Sequence, residues 1–166
     1  MELRSVYWVA VLVALTSTVL ADSTQEIDRQ IWRPFADSFA KLDSEAFNKL
    51  HTADSLRGGP WGLQIGSDYF KSNAEHWRSI AEKGGAQSIE FSFEQRLQEA
   101  QTAYEVGYYR VTSTDSSGTA IYYGQFHVVL KKVDDLWKIA QDWDAEEVMG
   151  RKVSAEDFEK YRQKRE

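Results

Sequence analysis

Residues 122–144 read YYGQFHVVLKKVDDLWKIAQDWD. Apolar and polar residues alternate through YYGQFHVVLKKV and again through LWKIAQDWD, with Asp134 and Asp135 between the two runs. Strict alternation marks a strand that buries one face, and two such runs joined by a short turn form an antiparallel hairpin. A turn centred between Asp134 and Asp135 sets the register: Leu130 faces Ile139, Val128 faces Gln141, His127 faces Asp142 and Phe126 faces Trp143.

Working outward, strands are expected over 87–98, 102–113, 119–132 and 136–144. A turn near Ala100 and Gln101 places Leu97 opposite Tyr104 and Phe93 opposite Tyr108. An odd-length loop at TDSSG, with Gly118 left-handed, then unites one apolar face: Ile89, Phe91, Phe93, Leu97, Tyr104, Val106, Tyr108, Phe126, Val128, Leu130, Ile139 and Trp143. An even loop would mix Glu90, Glu94 and Glu105 into that face. On the odd reading His127 and Asp142 share the opposite, polar face with Gln125 and Lys138, as a cross-strand charge pair worth well under ~1 kcal/mol. One β-bulge would carry either residue to the apolar side.

Before the strands, Ile27, Ile31, Phe35, Phe39 and Leu42 form one stripe of an amphipathic helix over 23–42, with a kink or a restart expected at Pro34. Asp43 is placed to cap a short helix, SEAFNKL. TADSLRGGPWGLQIG reads as a loop with two short extended pieces around Trp61. Ser67 is placed to cap a third helix, DYFKSNAEHWRSIAEK, which ends at Gly84 and Gly85. The tail SAEDFEKYRQKR suits a terminal helix whose few apolar residues, Phe158 and Tyr161, leave it to dock weakly or to project.

The 166-residue chain has no cysteine and a net charge of −6. Disulfides and thiolate metal sites are thereby excluded, and without a basic stripe nucleic acid is not an expected partner. His51, His76 and His127 fall on separate elements, so neither a metal site nor a cofactor is expected. MELRSVYWVAVLVALTSTVLADSTQ has the layout of a secretory signal, with cleavage expected after Ala21. The expected organisation is a signal peptide (1–21), one domain (22–147) and a helical tail (148–166). The mature protein would be secreted or periplasmic, with no membrane association after processing.

IGSDYFKSNAEHW, YEVGYYRVTSTDSSG and YYGQFHVVLKKVDDLWKIAQDWD, in that order, resemble the NTF2-like superfamily, and within it the SnoaL-like or DUF4440 group, over residues 25–147. The resemblance implies an α+β cone, with three helices packed on the concave face of a strongly curved antiparallel sheet and a pocket between them. It also implies a possible homodimer through the sheet, for which Tyr109, Val111, Tyr123 and Val129 would form the apolar centre. Steroid isomerases of the superfamily use an aspartate before a proline as base and a first-helix tyrosine as oxyanion donor. Ungapped matching puts Gly59 and Phe35 at those positions, and no carboxylate at Gln125–His127 where a third acid aligns. Neither glycine nor phenylalanine moves a proton, so that chemistry is not expected.

The expectation is therefore a small, largely apolar ligand in the pocket. His51 and Asp54 would stand at its mouth and Trp61 as a lid, with Tyr104, Tyr108, Arg110, Gln141 and Trp143 on the inward face. The alternatives are a SnoaL-type lyase, isomerase or cyclase in which a bulge turns His127 and Asp142 inward, and a dimeric interaction module.

Overall fold

The computed structural model describes residues 24–162. The expected leader and its processing site lie outside the described residues. Helix α1 spans 24–41, and its stripe buries Ile27, Ile31 and Phe35 as the spacing predicts. The perturbation expected from Pro34 takes the form of a π-helical stretch, Asp28–Trp32, in which the Arg33 N–H reaches back to the Asp28 carbonyl. Proline offers no N–H to residue 30 and its ring crowds that carbonyl; the widened turn relieves both. A left-handed Leu42 ends the helix. Asp43 then caps α2 (Ser44–Asn48), accepting from the Ala46 N–H at 2.9 Å.

The two short extended pieces expected around Trp61 pair with each other, so the segment read as a loop is a hairpin, β1 (His51–Gly59) and β2 (Gly62–Ile65). Helix α3 (Ser67–Glu82) follows; its N-cap is Gly66 rather than Ser67, and Gly84 continues the chain at φ 67 beyond its end. Then come β3 (Ala86–Gln98), β4 (Thr102–Asp115), β5 (Gly118–Val133) and β6 (Leu136–Ala145). The six strands form one sheet in the order β2-β1-β6-β5-β4-β3. All neighbours are antiparallel except β1 and β6, which run parallel, so the curved sheet is mixed.

The register departs from the expected one in three places, and together these decide which side chains face the helices. The Asp134-Asp135 turn is as expected, both residues at positive φ, and Leu130 does face Ile139. Beyond it a bulge at Ala140 shifts the pairs by one, so His127 faces Trp143 and Val128 faces Asp142. A second bulge, at Glu94, pairs Phe93 with Gly107 instead of Tyr108. The middle turn is even: Ser116 and Ser117 alone separate Asp115 from Gly118. Consequently β4 presents Glu105, Tyr109 and Val111 to the helices, and Tyr104 and Tyr108 to the other side. The expected apolar face is corrected accordingly; it keeps Ile89, Phe91, Phe93, Phe126, Val128, Leu130 and Ile139, which belong to or pack on the main core.

The feared consequence of an even turn, an acid in the core, does occur and is compensated. Glu105 is 1% exposed; it accepts from Trp32 Nε1 at 2.5 Å and from Arg96 Nε at 2.6 Å, and Arg96 also pairs with Asp28 at 2.8 Å. Buried charge is tolerated when paired and hydrogen-bonded in this way.

After the sheet, β7 (Glu147–Val148) and β8 (Arg151–Lys152) make a small ribbon leading to α4 (Ala155–Arg162). Asp157 organises the start of α4. It accepts from the Ser154 N–H and is gripped by both Arg151 terminal nitrogens at 2.6 and 2.7 Å, and these hold its pKa far below the carboxylate range. Of the two expectations for the tail, docking is the one observed. Phe158 is 1% exposed, and Tyr161 stacks on Tyr108 at 5.5 Å, in a second core on the sheet face opposite α1–α3.

Candidate functional site

Between α1–α3 and the sheet lies a cavity of about 230 Å³. Its walls are aromatic: Trp32 and Phe35 from α1, Phe47 from α2, Tyr69 and Trp77 from α3, Phe91 and Phe126 from the sheet. The rings interlock at offset and edge-on angles, as between Phe35 and Phe47 (4.6 Å, 73°) and between Phe47 and Trp77 (4.8 Å, 65°). Such packing lines the space with rings without filling it. Exposed His76 and the side chain of Asn73, from α3, mark the rim.

The polar groups gather at one pole. Arg57 from β1 and the acids of the D-W-D run on β6 meet there because β1 and β6 pair in parallel, with Arg57 beside Asp142. Arg57 Nη1 lies 2.6 Å from Asp144 Oδ1 and 3.3 Å from Asp142 Oδ1. Asp144 Oδ2 accepts the Tyr109 hydroxyl at 3.0 Å. Tyr109 reaches it by lying flat across Gly124, where any Cβ would strike the phenol ring. Burial, which lowers it, is outweighed for Arg57 by Asp142, Tyr69 and Asp144, and its pKa rises. Burial pushes Asp142 up; Arg57 opposes this and Asp144 adds to it. The Tyr69 and Tyr109 hydroxyls are raised too, first by burial and then by Asp142 and Asp144 respectively, so both stay protonated.

Of the residues expected at the pocket, only Asp142 lines this cavity, and it arrives there through the Ala140 bulge. His127 stays on the outer face, so the two are not a couple. Both ring nitrogens of His127 are occupied, Nδ1 by the Tyr104 hydroxyl at 2.6 Å and Nε2 by Gln125 Oε1 at 3.2 Å. Tyr104, Tyr108, Arg110, Gln141 and Trp143 all lie on the outer face, placed there by the shifts described above. Tyr108 bonds Glu94, and Arg110 is paired with Glu90. Asp54 is exposed on β1. His51 is buried beside the cavity, not in its lining, with Nδ1 3.0 Å from the Phe47 carbonyl. Trp61 is exposed at the hairpin tip with the Arg57 guanidinium 5.3 Å from its ring centre, so it touches the polar pole from outside.

Arg57, Asp144 and Tyr69 escaped the sequence reading, and Tyr109, expected on the outer face, lines the cavity instead. One signal was present: in QDWD the two acids are two apart and must share a face, whichever face that is. Among the described residues no cluster of three or more His, Asp or Glu could hold a metal ion.

No family model matches the sequence, and no curated protein matches it. By structure the chain is similar to an NTF2-like protein with a cystatin-like fold from Novosphingobium aromaticivorans (16% identity over 87% of this chain and 92% of that one, TM-score 0.65). It is also similar to a ketosteroid isomerase-like protein from Erwinia carotovora atroseptica (18%, 78% and 95%, TM-score 0.58). A third is a protein from Catenulispora acidiphila in complex with S-DNPA (16%, 78% and 93%, TM-score 0.58). At these identities the likeness establishes the fold.

Proposed function

We propose, taking the NTF2-like fold of this chain as the premise, that it binds a small, largely apolar molecule in the cavity between its helices and sheet, without steroid-isomerase chemistry. The observation that carries this reading is the aromatic cavity with a single polar pole, the usual make-up of a small-molecule site. Phe35 lines the cavity and brings no hydroxyl. The Catenulispora protein, solved in complex with S-DNPA, supports a ligand-binding role for the fold. A lyase, isomerase or cyclase of the SnoaL type would have to work through Asp142 and Arg57, since His127 faces away. Titration with nitrobenzene, a non-emitting apolar aromatic, followed by quenching of the emission of Trp32 and Trp77 in the cavity wall, tests the binding reading. Saturable quenching that Val111→Trp abolishes, by filling the cavity wall, is the expected result. Its absence in the unaltered protein would end the proposal.

Export belongs to the same proposal, with a mature chain lacking residues 1–21 as the intact mass to find. Among the described residues no helix is long and apolar enough to cross a membrane.

A second reading, a homodimer through the sheet, is favoured by one observation. The outer face is only half covered: α4 shields the part around Tyr108 and Tyr123, while Trp143 (52% exposed), Leu63 (63%) and Tyr104 (37%) stand bare beside Val129. The centre expected for such a contact is corrected, because Tyr109 and Val111 line the cavity and Tyr123 packs against Phe158.

A further inference from the structure

The polar pole of the cavity is out of electrical balance. Arg57 is the only lysine or arginine among the residues that line it, and it faces two carboxylates. The pair is unevenly served. Asp144 has both oxygens engaged, one by Arg57 and one by Tyr109. Asp142 has only the 3.3 Å approach of the same Arg57 nitrogen, whose nearer partner is Asp144. Yet Asp142 is the more buried, at 8% exposure, and it lines the cavity. The other titratable groups facing it are Tyr69, Tyr109 and, at the rim, His76. The two phenols are held neutral by burial.

A buried carboxylate that shares its one cation with a second acid and keeps spare lone pairs is costly, and a bound cation offsets that cost. An anionic ligand would meet a guanidinium already occupied by two acids, and a net negative pole behind it. A neutral ligand would displace water and leave Asp142 worse solvated than before. A cation gains twice, from Asp142 and from the negative faces of the surrounding rings, since Trp32, Phe35, Phe47, Trp77, Phe91 and Phe126 form the box in which its apolar body would lie.

Resting on the small-molecule reading above, we propose that the cavity selects a protonated hydrophobic amine over neutral and anionic molecules of the same shape, with the ammonium donating to Asp142. The volume of about 230 Å³ lies just below the usual range for ligand sites, which fits an amine built on a single ring.

Calorimetric titration of the full chain with 2-phenylethylamine, 2-phenylethanol and 3-phenylpropionate at pH 7 tests it. The amine is expected to bind about tenfold or more tighter than the alcohol, and the acid more weakly than either. Asp142→Asn should remove the advantage of the amine over the alcohol, and Asp142→Ser offers the same comparison if the first variant folds poorly. Alcohol and amine binding equally well to the unaltered protein would overturn the selection for a cation and leave the pocket reading standing. A preference for the amine that survives loss of the carboxylate would overturn the assignment to Asp142. Failure of all three probes to bind would remove the pocket reading and this inference together.

Discussion

Asp142 and Asp144 share a strand, a face and a cation, but they answer to different forces. A carboxyl whose folded pKa lies above its unfolded value holds its proton more tightly in the folded state. Asp142 is such a group, so its contribution favours folding at low pH and is lost as pH rises through the folded value. Asp142→Asn is therefore expected to melt at or above the temperature of the unaltered protein at pH 7, with the gap closing toward pH 4. Asp144→Asn should do the reverse, lowering stability by about 1–3 kcal/mol, because Arg57 loses its 2.6 Å partner and the Tyr109 hydroxyl its acceptor. Scanning calorimetry of the two variants separates them. His51 has the opposite sign from Asp142: its pKa is lowered to about 4, first by burial and further by Arg57 and Lys138, against a raising contact from the Phe47 carbonyl. The unfolded chain takes up this proton near pH 6.5 and the folded chain not until about 4, so stability present above 6.5 is lost as pH falls across that window. The loss is on the order of 3 kcal/mol. Urea midpoints at pH 7 and 4.5 should show it, and His51→Gln should flatten it. Neither acid nor histidine could be assigned its state from the sequence, because burial is set by residues on other elements.

The elements themselves were legible. The α1 stripe, the Asp43 cap and the Asp134-Asp135 turn depend on neighbours a few residues away, and local rules read them. The faces of β4 and the end of β6 were not legible, because each hangs on one extra residue, Glu94 or Ala140, that alternation does not reveal. Deleting Ala140 should remove the bulge while keeping Gln141 opposite Val129 and Asp142 opposite Val128, so that both acids stay on the cavity side with Arg57. Cavity binding that survives the deletion is the expected result; its loss together with an earlier urea transition would contradict the bulge. The fourth helix provides a second test at this scale. Phe158→Ala should cost about 3–5 kcal/mol, since the ring is buried against the outer sheet face with Tyr108, Tyr123 and Tyr161 nearby. A change within error in the denaturant midpoint would mean that α4 adds little to the fold.

For the molecule as a whole, the two faces of one sheet carry separate tasks: the inner face is walled off by three helices around a cavity, and the outer is half closed by α4. If the bare half meets a second copy, light scattering at tens of micromolar should give a dimer mass, on a loose working scale for stable association. Trp143→Glu should reduce it to a monomer, because a charge at the centre of a self-facing patch meets its own copy. A monomer before the substitution would refute the contact. The sequence by itself determined the helix stripes, two of the tight turns, four long strands and a stability that rests on packing without disulfides. All of these follow from short-range periodicity and composition. Only the tertiary structure decided which side of the sheet became the pocket. Alternation marks two faces without saying which one helices will cover, and a buried acid at Glu105 is permitted only because Trp32, 73 residues away in the chain, and Arg96, across the neighbouring strand, arrive to satisfy it.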